Sequence, residues 1–300
     1  MPISNLRKRV LDNPILNVCV CYISYLLPPS VRNKRNYKKM FGDRLDIKNT
    51  KTFSAEIIKR MYGIVYKEEL YIYADKYLVR DYIAKCIGEN YLVPLVGVYN
   101  CPREIPWDEL EDGVFLKTNN GSRFNVQYNS KTNKSYYRWL LWNWLRIDYS
   151  KFAGESQYKK IKPKIIVEMN VAENAKKLEE YNCYVFNGNT EFVYYHNSEG
   201  VKTELYRNKE KVDFVFNKHC KDAEISDVDF FKVIACAEKV SELFGFVRAD
   251  FFVHEHKVYF NELTFSPRAG MAAFVPDCFN FKYGEMLKRY PIINIKESSK

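Results

Sequence analysis

The eight cysteines of this sequence form no Cys-x-x-Cys pair, and the Cys19-x-Cys21 spacing is too tight for the usual zinc pairs. Neither GxGxxG nor GxxxxGK[ST] occurs, which excludes the common dinucleotide fingerprint and phosphate loop. Histidines number only four (196, 219, 254 and 256), and no Cys/His or Ser/His arrangement suggests a protein nucleophile. His254-Glu255-His256 sits where a hairpin tip is expected, with its rings pointing apart rather than toward one metal. No internal repeat or low-complexity segment is visible. Long apolar runs are also missing. Ile15 to Leu27 is too short for the roughly 20 residues that span a bilayer, and Pro28-Pro29 stands where a signal peptide would need small residues.

What is present is a 300-residue chain, 47% hydrophobic and 16% aromatic, with 24 Tyr and 20 Phe. Such a chain buries a large core and is not disordered. In a chain this long, scattered cysteines read as reduced thiols, which fits a cytoplasmic protein. The net charge of +10 attracts anions in general. Basic clusters lie at Arg7 to Arg9, Arg32 to Lys39 and Lys159 to Lys164. None combines with aromatics in a nucleic-acid module pattern, so no nucleic-acid partner is expected. The apolar Ile15–Leu27 stretch reads as a buried helix. Its basic flanks leave peripheral membrane association at the inner face as a second reading.

Residues 1–70 read as helical: the apolar stretch, a basic linker, then Thr52 to Tyr66 with Phe53, Ile57, Ile58, Met61 and Ile64 at helical spacing. Farther on, a helix is expected over Asp75 to Ile87, strands over Tyr91 to Val98 and Gly113 to Thr118, and a loop over Pro102 to Asp112. A well-buried aromatic helix is expected over Tyr136 to Trp144. Strands follow at Lys164 to Met169, Asn182 to Phe186 and Phe192 to His196, the last two joined by the hairpin signal Asn187-Gly188-Asn189. Val228 to Phe244 is an amphipathic helix. It leads into strands Phe246 to Val253 and Lys257 to Phe265. The class is α+β with antiparallel hairpins.

Those last two strands carry the chemistry. A three-residue hairpin loop at 254–256 sets Asp250 against Phe260 and Arg248 against Glu262. Alternation then places Arg248, Asp250, Glu262 and Thr264 on one face, with the two carboxylates as diagonal neighbours. Paired carboxylates repel unless a cation lies between them. Magnesium on a nucleotide meets that need. A structural Arg248–Glu262 ion pair, with Asp250 facing solvent, is the other reading of the spacing.

Arg-x-Asp followed by Asn-Glu-Leu-Thr and Ser-Pro resembles the magnesium signature of ATP-grasp ligases. Asp75-Lys76, Phe115-Leu116-Lys117 before Thr118–Ser122, and Ile165 to Glu168 resemble, in order, the first ATP lysine, the second lysine with its phosphate loop, and the adenine hinge. Phe41 to Ser54, Asp75 to Ile83, Val185 to Asn189 and Phe246 to Phe265 are similar to the TupA-like ATP-grasp family, so the resemblance spans about residues 31–290. It implies an ATP-grasp fold of two α+β lobes sandwiching ATP, here 71–170 and 171–300, with a helical extension over 1–70. It further implies ATP and Mg2+ as cofactors, with metal ligands Asp250, Glu262 and Thr264. The nucleotide contacts implied are Lys76, Lys117, Asn120, Gly121, Ser122, Arg123, Glu168, Met169 and a ribose carboxylate, Glu180, with Glu179 and Glu173 next in line. Arg248 and Arg268 are the implied catalytic cations. Thr264 stands where the family's signature has Asn, and its hydroxyl can coordinate or hold a metal-bound water. Arg123-Phe124 replaces a more glycine-rich loop, and Arg123 is in position to reach the γ-phosphate.

The activity implied is carboxylate–amine ligation through an acyl phosphate. It would amidate an acidic sugar or amino acid, its partners being an acidic sugar or polysaccharide intermediate and an amino acid-like amine, in bacterial surface-polysaccharide biosynthesis. A sugar phosphotransferase, or a nucleotide-binding partner of a glycosyltransferase, are the alternatives.

Overall fold

The computed structural model describes residues 13–63, 69–172, 178–216 and 223–293. The described residues open with three helices: α1 (Pro14–Ser24), α2 (Pro29–Phe41) and α3 (Phe53–Met61). Helix α2 replaces the expected basic linker. Pro29 starts it and Gly42, in the left-handed region, ends it, while Asn33 and Tyr37 turn inward. Thr52 caps α3 by accepting from the Ala55 N–H at 3.2 Å, and Phe53, Ile57, Ile58 and Met61 are buried as their spacing requires. Ile64 lies outside the described residues.

Next come α4 (Leu70–Ala74), α5 (Val79–Ile87), β1 (Leu95–Tyr99), β2 (Phe115–Thr118) and β3 (Asn125–Gln127). Helix α6 (Lys134–Arg146), α7 (Tyr149–Ala153) and β4 (Ile165–Glu168) follow. Asp75 delays the start of α5, because its carboxylate accepts from the N–H groups of Tyr77 and Leu78 and forms a turn instead. Strands β1–β4–β2–β3 form an antiparallel sheet in that spatial order. Helix α6 packs one side on this sheet through Tyr137, Leu140, Leu141 and Trp144. Its other side is open, so the expected full burial fails: Trp139 and Trp142 are 44% and 43% exposed.

The remaining strands are β5 (Glu179–Phe186), β6 (Asn189–Asn197), β7 (Lys202–Tyr206) and β8 (Val215–Phe216). Helix α8 (Asp227–Ser241), β9 (Phe246–His254), β10 (Lys257–Thr264), β11 (Phe274–Val275) and α9 (Cys278–Arg289) complete the described elements. The large antiparallel sheet runs β10–β9–β5–β6–β7. Asn187 and Gly188, at φ 48° and 80°, make the two-residue turn between β5 and β6, which suits the right-handed strand twist. One sheet face (Tyr181, Cys183, Val247, Ala249, Phe251) packs on the α8 stripe of Phe230, Val233, Ile234, Ala237 and Val240. Burying each large apolar side chain there contributes about 1.5–3 kcal/mol. The opposite face carries the polar residues together with a second buried cluster that includes Tyr184, Phe186, Phe192 and Phe246.

The β9–β10 hairpin differs from the expected register in two ways. Its loop is two residues, Glu255-His256, both at positive φ. A bulge at Asn261 then shifts the pairing, so Asp250 opposes Glu262 directly and Arg248 opposes Thr264. The shared face survives; the neighbours change.

Candidate active site

Cross-strand partners share a face, so register places Glu180, Asn182, Arg248, Asp250, Glu262 and Thr264 on the polar side of the large sheet. Asp250 is 1% exposed and receives a bidentate contact from Arg248, with Nε to Oδ1 at 2.7 Å. The same guanidinium donates to the Thr264 hydroxyl at 3.2 Å and lies 3.6 Å from Glu262. Thr264 donates to Glu262 at 2.9 Å. Burial pushes the Asp250 carboxyl up to about 7, against the pull of Arg248. Burial also opposes the charge on Glu262, yet Lys76 and Arg248 hold its carboxyl below the usual range.

Lys76 joins three elements at this point. Its Nζ donates to the Gly121 carbonyl at 2.7 Å and sits 3.4 Å from Glu262. Behind it, the buried Asp75 accepts from the Asn119 side chain at 2.8 Å, while the Asn119 Oδ1 accepts from the Lys164 backbone N–H at 2.7 Å. The turn bearing Lys76 is thereby fixed to the loop after β2. Lys117 pairs with Glu168 across the small sheet, and Arg80 reaches the same carboxylate at 3.2 Å while donating to the Val93 carbonyl at 2.9 Å. Glu180 accepts from Asn182 at 2.9 Å and meets His196 at 3.0 Å. Burial works against its charge, but His196 and Asn182 hold the carboxyl below its ordinary value.

Two of the expected nucleotide residues also make bonds within the protein. The Asn120 side chain turns inward and donates to the carbonyls of Trp144 and Ile147 at 3.2 Å each. The Met169 N–H donates to the Pro94 carbonyl at 3.0 Å. Glu179 instead accepts from Tyr181 at 2.7 Å, and Glu173 lies outside the described residues. His256 contacts Asp229 at 2.7 Å, at the end of β9 away from Arg248.

A cavity of about 550 Å³ opens on the phosphate-loop side of Glu262 and Thr264. Arg32, Arg123, Arg248 and Arg268 line it, against the two carboxylates Glu155 and Glu262. Arg268 stacks over Tyr194 and Phe216, with its guanidinium carbon 5.4 and 5.5 Å from the ring centres. Glu155 is buried, accepts from the Ser266 hydroxyl, and is pushed up to about 7 by its burial. Sequence reasoning missed Arg32, Arg80, Glu155, Asn182 and His196. Arg80 lies within the Asp75–Ile83 segment, and Arg32 heads the basic cluster read as a linker; neither Glu155 nor His196 carries a local signal.

The donor set suits a nucleotide and a hard cation. Asp250, Glu262 and Thr264 offer only oxygen, and the two carboxylates share one guanidinium, so a cation of similar position could replace that contact. Among the described residues no group of three or more His, Cys, Asp or Glu could hold a metal by itself. Phosphate oxygens or waters would complete the coordination. Lys76, Lys117 and Arg123 are the cations that would face such phosphates.

Residues 55–288 match the family model described as TupA-like ATPgrasp. Among solved structures, D-alanine–D-alanine ligase from Bacillus anthracis complexed with ATP is 14% identical, with 65% of this chain and 54% of that chain covered at a TM-score of 0.42. The corresponding ligase from Helicobacter pylori is 17% identical, covering 73% and 61% at 0.43. Phosphoribosylglycinamide synthetase from Anaerococcus prevotii is 14% identical, covering 71% and 49% at 0.33. The chain thus spans between 49% and 61% of the length of these three. No curated protein matches it.

Proposed function

This chain belongs to the TupA-like ATP-grasp family, and on that premise we propose that it is an ATP- and magnesium-dependent carboxylate–amine ligase. The observation that carries the reading is the convergence of Lys76, Arg248, Asp250, Glu262 and Thr264 beside an arginine-lined cavity. Asp250, Glu262 and Thr264 would hold magnesium, which neutralises charge on the transferring phosphoryl group. Lys76, Lys117 and Arg123 bind phosphate oxygens. Arg248 and Arg268 grip the substrate carboxylate and orient it toward the γ-phosphate. Attack there yields an acyl phosphate and ADP; an amine then displaces phosphate to form the amide. Phosphoryl transfer depends mainly on positioning and charge neutralisation, and these residues are equipped for both.

Four arginines against two carboxylates make the cavity receptive to an acid. We take the acid to be an acidic sugar or amino acid, and the setting to be bacterial surface-polysaccharide biosynthesis in the cytoplasm, where ATP is available. The test is trapping with hydroxylamine: an acyl phosphate gives a hydroxamate with release of ADP. A stable phosphomonoester in its place, with no hydroxamate from any acid tried, would mean phosphotransfer to a hydroxyl.

A further inference from the structure

Helices α1 and α2 present two unlike faces. Asn17, Arg32 and Asn36 line the cavity, while Val18 and Cys21 join the core beneath α6. Arg32 donates to the Lys151 carbonyl at 3.0 Å and ties α2 to α7. The outward face is apolar: Ile15, Leu16, Tyr22, Leu27 and Val31 are exposed, as are Ile23 at 65% and Leu26 at 81%. Spacings of three and four residues put Ile15, Cys19, Tyr22 or Ile23, and Leu26 on one stripe.

A second element continues this surface. The Tyr22 hydroxyl donates to Asn143 on α6 at 3.2 Å. Trp139, Trp142 and Arg146 share that side of α6 with Asn143, and the Arg146 guanidinium carbon lies 4.2 Å from the Trp142 ring centre. Exposed Trp and Tyr beside an aliphatic patch are the side chains that settle at a lipid headgroup boundary. Charge selects the lipid. Residues 13–42 hold five Lys or Arg and no Asp or Glu, and Lys34, Arg35, Lys38 and Lys39 are exposed on α2. A second copy of this face would bring like charges together, whereas anionic headgroups would neutralise them.

We propose that the outer face of α1, the α1–α2 turn and the Trp139–Trp142 side of α6 dock on an anionic bilayer surface without crossing it. Among the described residues no single helix is long and apolar enough to span, and α1 and α2 are bent by 109° relative to each other. Docking would hold the helices that wall the cavity against the bilayer. The proposal stands independently of the ligase reading.

The test is flotation of the full chain with neutral phosphatidylcholine vesicles and with vesicles containing phosphatidylglycerol, read also by Trp emission. Trp107 and Trp144 are buried, so a blue shift on binding reports Trp139 and Trp142. Wild type is expected to float with the anionic vesicles and shift blue. Ile23→Asp with Leu26→Asp is expected to weaken partition by roughly tenfold or more at unchanged Tm, since both side chains are exposed. Trp139→Phe with Trp142→Phe is expected to remove the shift. The proposal is overturned by no flotation with either vesicle, by partition indifferent to the Ile23 and Leu26 pair, or by binding without a blue shift. A wild-type dimer that Leu26→Asp dissociates, with no vesicle binding, would instead make a second copy the occupant. Neither nucleotide nor acid substrate enters the experiment.

Discussion

Asp250 and Glu262 oppose one another across β9 and β10, and Arg248 contacts both. Two carboxylates are thus held at one point by a single guanidinium. Wild type in Mg-ATP at about a hundredfold above its Kd should be stabilised by about 2.7 kcal/mol. Asp250→Asn and Glu262→Gln should each abolish that increment in thermal unfolding. Asp250→Asn should also lower the ligand-free stability by on the order of 3 kcal/mol, because Arg248 loses its buried counter-charge. A retained Mg-ATP increment in both variants would remove these residues from the metal site.

Lys76 links the phosphate loop to the metal strand through Gly121 and Glu262. Lys76→Met should reduce ATP-dependent turnover by roughly 10²–10³-fold. Steady-state kinetics and nucleotide titration check it; turnover within twofold of wild type (~0.4 kcal/mol) would make Lys76 a structural cation.

The acid and the nucleotide should respond to different arginines. Arg268→Ala is expected to raise KM for the acid by roughly tenfold or more while leaving the Kd for ATP unchanged, since its contacts are aromatic rings at the cavity wall. Equal losses for both substrates would place Arg268 on the nucleotide instead.

Glu155 gives a pH dependence of known sign. Its folded-state value of about 7 lies above the ordinary 4.5, with burial the main cause. A raised value contributes stability that is complete below about pH 4.5 and lost as pH rises through about 7. Relative to Glu155→Gln, wild type should therefore lose roughly 2–3 kcal/mol between about pH 5 and pH 8. Urea unfolding of both proteins across that window measures it, and parallel profiles would mean the carboxyl titrates normally.

Gly121 leaves no space for a side chain. A Cβ there would stand 2.7 Å from the Phe124 ring and 2.8 Å from Tyr149. Phe124 in turn stacks on Trp144 at 5.8 Å. Gly121→Ala should cost about 1–3 kcal/mol and displace the carbonyl that Lys76 holds. Denaturant midpoints together with ATP affinity test both effects, and neither should stay at the wild-type value.

Much of the large sheet was legible from local pattern. The α8 stripe, the Asn187-Gly188 turn and the alternation of β9 and β10 depend on periods of a few residues, and periodicity survives whatever packs against it. Hence the shared face of Arg248, Asp250, Glu262 and Thr264 was readable, though not their partners. The bulge at Asn261 and the two-residue loop at Glu255-His256 each shift register by one, and composition marks neither. Exposure was also illegible at Trp139 and Trp142, because an aromatic stripe does not say whether anything covers it.

The sequence by itself determined which side chains share a strand or helix face: the carboxylates with Arg248 and the α8 core stripe; it did not show that α1, expected to be buried, leaves Ile23 and Leu26 exposed. Only the tertiary structure decided which distant segments meet there. Lys76 reaches Gly121 and Glu262, Arg80 and Lys117 converge on Glu168, and Arg32 walls a cavity with Arg268. These contacts join residues tens to hundreds of positions apart. They exist because the two larger sheets and three buried clusters pack together, and no local period in the chain encodes that packing.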